Sequence, residues 1–236
     1  LQLSFFKMFI KLFNSFLFFC VCIPLSALPM WMLYLLSDIL SFLLRHIIKY
    51  RNNIIGININ NSFPHLSTHR KKKIENIFYK HLSDIFIEAI KELSIRKKFV
   101  MEHYHCNNPE ILTPFYNENR SVILVSGHYN NWEYMVLSLD LQFLRHGIGI
   151  GKRMTNKVFD KQMHLRRTRF GTEVCYNDNY KQVMSHYEKE HIPCAYMLLA
   201  DQSPSDINKC FWTKFLNQDT PVIFGPEYLA KKYNLP

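Results

Sequence analysis

Residues 121–133 have the sequence Ser-Val-Ile-Leu-Val-Ser-Gly-His-Tyr-Asn-Asn-Trp-Glu. The apolar, mostly β-branched run 122–125 predicts a strand that is buried on both faces of a sheet. Gly127 allows a tight turn after this strand. His128 would then lie at the carboxyl end of the strand, where open α/β sheets place their reactive groups. A helical pattern begins at Trp132, so the stretch predicts a strand, a short loop that carries His128, and a helix.

The spacing of His128 and Glu133 restricts how the two side chains can meet. Five residues along one helix correspond to about 500° of rotation, so two helical side chains at this spacing do not share a face. They meet if His128 lies in the loop and Glu133 in the helix. Because a histidine oriented by a carboxylate is the minimal general base for a hydroxyl, we predict His128 and Glu133 as catalytic residues. The alternative is a histidine that only packs in the loop.

The remainder of the chain alternates between strand and helix patterns. Predicted strands cover 147–152, 172–176, 194–199 and 211–216, and predicted helices cover 67–93, 156–170, 180–190 and 227–233. Ser67 or Thr68 can cap the first of these helices, and 51–62 fits either a strand or a helix. The alternation predicts an α/β fold with a mixed central sheet flanked by helices.

Composition narrows the function classes. The chain has 236 residues and a formal net charge of +10, which favours anionic partners such as phospholipid surfaces, phosphorylated substrates or an acidic carrier protein. The basic residues carry no recognisable nucleic-acid motif, so we predict no nucleic-acid partner. The six cysteines lack zinc spacing and predict reduced thiols. No nucleotide-binding glycine motif is present, so we predict neither a metal nor a cofactor.

The amino-terminal segment predicts a membrane anchor. Residues 12–37 form a run of 26 without a charged residue, which exceeds the roughly 20 that a helix needs to cross a bilayer core. Apolar residues resume at 39–48, so the segment makes one crossing plus an interfacial helix, or a shallow hairpin. We predict an anchor over 1–50 and a catalytic domain over 51–236 on the cytoplasmic side, because basic residues crowd the carboxyl side. A secretory signal is the alternative.

Four further residues are candidates for substrate binding. Arg166 and Arg169 are three apart and can point into one cleft, where guanidinium groups bind phosphate or an oxyanion. Asp201 and Gln202 follow a buried strand, a position where polar residues often serve a site. A solvated basic helix and a simple turn are the respective alternatives.

Together these pieces resemble the late lipid A biosynthesis acyltransferases, a lysophospholipid acyltransferase-like family, in the form of its Bacteroidetes members. The resemblance covers nearly the whole chain. The matching pieces are Asn61-Ser62-Phe63-Pro64, Ser126-Gly127-His128-Tyr129-Asn130-Asn131-Trp132-Glu133, Arg166-x-x-Arg169-Phe170-Gly171, Ala200-Asp201-Gln202-Ser203-Pro204, and 215–230 with Pro221 and Gly225. Asn130 stands where many relatives carry glycine.

The resemblance implies a glycerolipid acyltransferase-like fold and an enzyme of the inner (plasma) membrane. Such enzymes move a fatty acyl chain from acyl carrier protein to a hydroxyl of a lipid A precursor. His128 would take the hydroxyl proton with Glu133 as its partner, and Arg166, Arg169 and Asp201 match positions tied to substrate or transition-state handling. We expect a further strand beyond residue 236, so that the chain is truncated at its carboxyl end.

Two alternatives to this function stay open. In the first, the acceptor is an amino-acid lipid or a lysophospholipid, since no residue in the sequence discriminates among these lipids. The second alternative is a non-catalytic lipid-binding protein on the same fold.

Overall fold

The computed structural model describes residues 2–143, 145–204 and 206–236, so Leu1 of the predicted anchor lies outside the description. Helices precede the first strand. They are α1 (Gln2–Phe16), α2 (Ile23–Ala27), α3 (Met30–Phe42), α4 (Asn52–Ser62), α5 (Thr68–Lys91), α6 (Lys97–His103) and α7 (Thr113–Asn117), with π-helical turns at Leu17–Cys22 and Leu43–Ile47 and a 3-10 turn at Pro109–Leu112. The ambiguous segment 51–62 is therefore helical, and Ser67 caps α5 by accepting a hydrogen bond from the backbone N of Arg70.

Strands and helices then alternate as predicted. They are β1 (Val122–Ser126), α8 (Trp132–Gln142), β2 (His146–Gly151), α9 (Lys157–Arg167), β3 (Glu173–Tyr176), α10 (Tyr180–Lys189), β4 (Cys194–Leu199), β5 (Phe211–Phe215), β6 (Gln218–Val222) and α11 (Gly225–Tyr233). The sequence analysis did not predict β6, because Pro221 and the polar residues before it resemble a turn.

The central sheet has four parallel strands in the order β1-β4-β2-β3. This confirms the predicted α/β class with helices around a central sheet. Within the described residues, antiparallel pairing occurs only in the separate β5–β6 hairpin, so the central sheet is parallel in these strands rather than mixed. Parallel pairing matters for the site, because the carboxyl ends of all four strands then meet at one edge.

Both faces of the sheet are buried, as the apolar runs predict. Along β4, Cys194, Tyr196 and Leu198 face one core, which α10 and α11 cover. Ala195 and Met197 face the opposite side, where α8 covers Met197. This two-residue alternation is the expected consequence of strand geometry, and it fixes which strand ends lie beside which helices.

The amino-terminal helices form two stretches, Met8–Ala27 and Met30–Ile47, that are long and apolar enough to cross a membrane by length and composition. The helix breaks before Pro29, and the Nζ of Lys91 donates to the freed carbonyls of Ser26 and Leu28 at 3.0 and 2.9 Å. The second stretch is docked on α5, where Ser37 donates to Asp84 at 2.6 Å. The predicted domain boundary near residue 50 stays a prediction.

We predict that Gly147→Ala destabilises the fold. A Cβ at Gly147 would lie 2.7 Å from the Cβ of Leu139 and 2.9 Å from the backbone N of Asp140, so α8 has to move off β2. Overpacking of this kind costs about 1–3 kcal/mol of unfolding free energy. Gly151→Ala in the same strand is the control, because a Cβ there meets nothing within 4 Å. Equal thermal stability of the two variants would contradict this account of the packing.

Candidate active site

The site begins at the adjacent ends of β1 and β4. These strands pair in parallel register, with Ser126 opposite Leu199, and the backbone N of Ala200 donates to the carbonyl of Ser126 at 2.9 Å. The two chains therefore leave the sheet at the same level. This places the loop residue His128 beside Asp201, although 73 residues separate them in sequence.

Asp201 makes two hydrogen bonds to one residue. Its Oδ1 lies 2.6 Å from Nδ1 of His128, and its Oδ2 accepts from the backbone N of His128 at 2.7 Å. Burial alone would raise the pKa of Asp201, but the hydrogen bonds from His128 outweigh it and hold the pKa below its ordinary value. The carboxylate is therefore ionised at neutral pH. It fixes the proton of the ring on Nδ1 and leaves Nε2 free to accept a proton.

Close approach of Asp201 requires a glycine before the histidine. A Cβ at Gly127 would lie 3.0 Å from Oδ2 of Asp201, so a larger residue there would push the carboxylate away. Asn130 adopts a left-handed conformation with φ 50°, which asparagine tolerates better than most residues. The turn therefore forms with asparagine at this position.

Other residues surround the ring of His128. The indole of Trp132 packs edge-on at 4.8 Å between ring centroids, and Nε2 of Gln202 lies 3.2 Å from Nε2 of His128. The His128 side chain keeps 25% of its surface exposed, so a substrate can reach the ring. Asp201 and Gln202, which the sequence analysis assigned to substrate binding, thus both contact the histidine itself.

The predicted contact between Glu133 and His128 is not what the structure shows. Glu133 lies in the first turn of α8, and its carboxylate binds both Nε and Nη2 of Arg167 at 2.7 and 2.5 Å. Both of its oxygens therefore face α9, and Asp201 orients the ring in its place. The sequence could not reveal this, because spacing along the chain says nothing about which strand lies next to β1. The assignment of Glu133 to catalysis stays a prediction.

Arg167 belongs to a partly buried group of charges that we call the arginine cluster: Arg166, Arg167, Arg169, Glu133 and Glu92. The sequence analysis singled out neither Arg167 nor Glu92, and a solvated basic helix was its alternative for this segment. In the structure the side chain of Glu92 is fully buried, and neither of its carboxyl oxygens has a hydrogen-bond partner. Burial, with the nearby charge of Glu133, raises the pKa of Glu92 to about 8 against the opposing effect of the arginines.

Arg166 and Arg169 both reach this cluster, as their spacing suggested. Nη2 of Arg169 donates to the backbone carbonyl of Glu92 at 2.8 Å. The Nε atoms of both arginines are buried without a hydrogen-bond partner among the described residues. The cluster holds three guanidinium groups and two carboxyl groups, and the raised pKa of Glu92 adds to its positive excess. Its excess positive charge suits an anionic group, and the predicted substrate-binding role stays a prediction.

A cleft of about 570 Å³ opens beside the histidine loop, a volume within the usual range for ligand sites. The loop contributes one wall, and α3, α5 and α6 contribute the others. The lining residues are Met30, Tyr34, His81, Asp84, Ile85, Glu88, Phe99, His103, Tyr104, Ser126, Gly127, Tyr129, Asn130, Asn131, Trp132, Tyr134 and Met135. The cleft therefore joins the apolar amino-terminal helices to the loop that carries His128.

Glu88 connects these two walls. It accepts from the hydroxyl of Tyr34 on α3 at 2.8 Å and from the side-chain amide of Asn131 at 2.9 Å. Asn131 in turn caps α8, because its Oδ1 accepts from the backbone N of Tyr134. One carboxylate thus fixes the position of the histidine loop relative to the amino-terminal helices.

We predict that Glu133→Gln lowers the free energy of unfolding by about 3–5 kcal/mol, because it leaves Arg167 buried without its counter-charge. Arg167→Gln should cost a similar amount, and the double variant less than the sum of the two. Denaturant unfolding in detergent measures all three. If the destabilisation of the double variant equals the sum of the two single effects, Glu133 and Arg167 do not interact directly. Glu227→Gln, which removes an exposed pair with Lys231, is the control and should change stability by less than about 0.5 kcal/mol.

We also predict that Glu92→Gln changes the pH dependence of stability. With a folded pKa raised from 4.5 to about 8, the contribution of Glu92 is complete below pH 4.5 and is lost as the pH rises towards 8. Glutamine stays uncharged throughout. The variant should match wild type at low pH and exceed its Tm by at least about 2–4 °C near pH 8, the effect of 1 kcal/mol in a chain of this size. The exposed Glu190→Gln is the control, and parallel curves for Glu92→Gln and wild type would contradict the burial argument.

Comparison with known proteins places this site in a family. The profile of the bacterial lipid A biosynthesis acyltransferases matches residues 5–236, which includes the histidine loop, the arginine cluster and the hairpin. No curated protein sequence matches the chain significantly. The match extends over nearly all of the chain and confirms the resemblance drawn from the motifs, including an acyltransferase activity of the lipid A biosynthesis type. The chain therefore belongs to the bacterial lipid A biosynthesis acyltransferase family.

Proposed function

We propose that this protein is a membrane-associated O-acyltransferase that moves a fatty acyl chain from an acyl carrier protein thioester to a hydroxyl of a lipid A precursor. The observation that carries the proposal is the ring of His128, with Nδ1 held by Asp201 at 2.6 Å in a chain of this family. That arrangement is the one a general base needs to activate a hydroxyl.

The proposed reaction follows from the tautomer of His128, which carries its proton on Nδ1. Nε2 of His128 takes the proton of the acceptor hydroxyl as its oxygen attacks the thioester carbonyl. The new C–O bond forms, the C–S bond breaks, and the imidazolium returns the proton to the leaving thiolate. Asp201 stabilises the imidazolium between these steps. The transfer is direct and requires no covalent intermediate on the enzyme.

Gln202 and the arginine cluster support this reaction in different ways. The side-chain amide of Gln202 lies 3.2 Å from Nε2 of His128, at the place that the acceptor hydroxyl must take, so we expect the amide to move aside and hydrogen-bond that hydroxyl. Arg166 and Arg169 bind an anionic group of a substrate, which the positive excess of the cluster favours. Glu133 acts through Arg167 and holds the start of α8, directly behind the histidine loop.

The membrane brings the acceptor to the cleft. We infer that the apolar amino-terminal helices associate with the inner (plasma) membrane and that α3 lies at its cytoplasmic surface. The side of α3 that faces α5 meets charged residues, including Asp84 and Glu88, which are costly to place in hydrocarbon. Its opposite side exposes Trp31, Leu35, Ile39 and Phe42. A lipid acceptor in the cytoplasmic leaflet then reaches His128 from α3, and the acidic carrier protein approaches a basic domain from solution.

The test is acyl transfer by the chain reconstituted in vesicles. Acyl carrier protein thioesters and a lipid A precursor should yield a product heavier by one acyl group in mass spectrometry. His128→Ala and Asp201→Asn should each lower the rate by about 10²–10⁴-fold, because one removes the base and the other removes the charge that orients it. His65→Ala, an exposed histidine outside the site, is the control and should retain the rate of wild type.

The same assay separates the alternatives. Transfer to an amino-acid lipid or a lysophospholipid, with the lipid A precursor left unmodified, would replace the acceptor and keep the mechanism. Equal activity of His128→Ala and wild type would refute the general base. Binding of lipids without acyl transfer to any acceptor would favour a non-catalytic lipid-binding protein.

A further inference from the structure

The β5–β6 hairpin exposes large apolar side chains. Every residue of β5 is exposed, and the exposed fractions of Phe211, Trp212 and Phe215 are 60%, 51% and 62%. Leu216 in the turn is 47% exposed. A cluster of this kind on a soluble surface marks a site of contact with a protein or a membrane.

The geometry of the hairpin indicates that something covers it. Alternation along the strand places Phe211 and Phe215 on one face and Trp212 and Lys214 on the other. Neither face packs on the central sheet closely enough to bury these side chains. Because an isolated two-stranded hairpin is at best marginally stable in water, a partner that receives the aromatic side chains would stabilise it.

The turn of the hairpin is hydrogen-bonded to the end of α4. Asn61 at the end of α4 donates to Oε1 of Gln218 at 3.2 Å, and its backbone carbonyl accepts from Asn217 at 3.1 Å. Asn61 lies on the same helical face as Ile54 and Ile57, at spacings of seven and four residues, and these isoleucines are 48% and 58% exposed. The hairpin is therefore fixed to the end of α4, a helix that follows the second apolar stretch in the chain and exposes two isoleucines.

We propose that the β5–β6 hairpin is a second membrane contact, which inserts its aromatic side chains into the surface of the bilayer beside the anchor. Tryptophan and phenylalanine next to lysine is the composition that favours the level of the lipid head groups. The hairpin holds Gln218 against α4 and follows the loop that carries Asp201 and Gln202. A membrane contact here would add to that of the amino-terminal helices and hold the domain at the bilayer surface. This inference rests on the membrane association in the proposed function.

Tryptophan fluorescence tests the contact, because the chain has only Trp31, Trp132 and Trp212. The full chain with Trp31→Phe and Trp132→Phe keeps Trp212 as its sole tryptophan. It is reconstituted in phospholipid vesicles whose acyl chains carry bromine near the head groups. Trp212 should emit at shorter wavelength than in the unfolded chain, be quenched by the brominated lipid, and resist iodide in solution, as expected about 5–10 Å below the head groups.

Two matched chains complete the experiment. Trp132→Phe with Trp212→Phe leaves Trp31, which reports anchoring through α3. A chain with all three tryptophans replaced by phenylalanine and with Ile192→Trp reports the amino-terminal end of β4, at the opposite edge of the sheet from the site, where Ile192 is 42% exposed. This last probe should be quenched by iodide and not by brominated lipid.

The outcomes are distinct. Quenching of Trp31 with an unquenched, iodide-accessible Trp212 would overturn the hairpin contact and leave the anchor intact. Absence of quenching at both positions would refute the placement of both α3 and the hairpin at the bilayer surface. If Trp212 is shielded from iodide but not quenched by brominated lipid, protein rather than lipid covers the hairpin, and the proposal of a bilayer contact fails.

Discussion

The parallel pairing of β1 with β4 is the contact on which the candidate site depends. Because the two strands end in register, the residues that follow them are neighbours in space. The carboxylate of Asp201 then accepts one hydrogen bond from the backbone of His128 and one from its ring. A single charged group thereby fixes both the loop and the tautomer. Charge-assisted hydrogen bonds of this length are stronger than neutral ones, and Gly127 provides the space for them.

Behind the histidine loop, the ion pairs and hydrogen bonds of the arginine cluster fix the positions of three helices relative to one another. Glu133 on α8 accepts two hydrogen bonds from Arg167 on α9, and Arg169 donates to the carbonyl of Glu92 at the end of α5. Burial of so many ionisable groups is costly, since desolvation offsets much of the attraction between them. A protonated Glu92 lowers that cost and leaves a surplus of positive charge. We interpret the cluster as a preorganised site for an anionic group, which needs little rearrangement when that group binds.

Helix α5 connects the apolar amino-terminal helices to the loop that carries His128. One end of it satisfies the carbonyls at the helix break before Pro29 through Lys91. One turn earlier, Glu88 joins Tyr34 to Asn131 at the start of α8. The amino-terminal helices and the histidine loop are therefore parts of one packed unit, and the cleft lies between them. An enzyme built this way would keep its general base at a fixed depth relative to a lipid acceptor.

Local chemistry along the chain was enough to predict the α/β class, the strand and loop around His128, the amphipathic helix α5 and the apolar character of the amino-terminal helices. Each of these depends on periodicity or on the properties of neighbouring residues, which are written directly in the sequence. The partner of His128 was not predictable in this way. Spacing along the chain favoured Glu133. Strand order instead places Asp201 beside the ring of His128, and Glu133 pairs with Arg167. Strand order arises from packing between segments that are far apart in the chain, and so do the burial of Glu92 and the exposure of the hairpin. No local pattern specifies which strand will be the neighbour of β1.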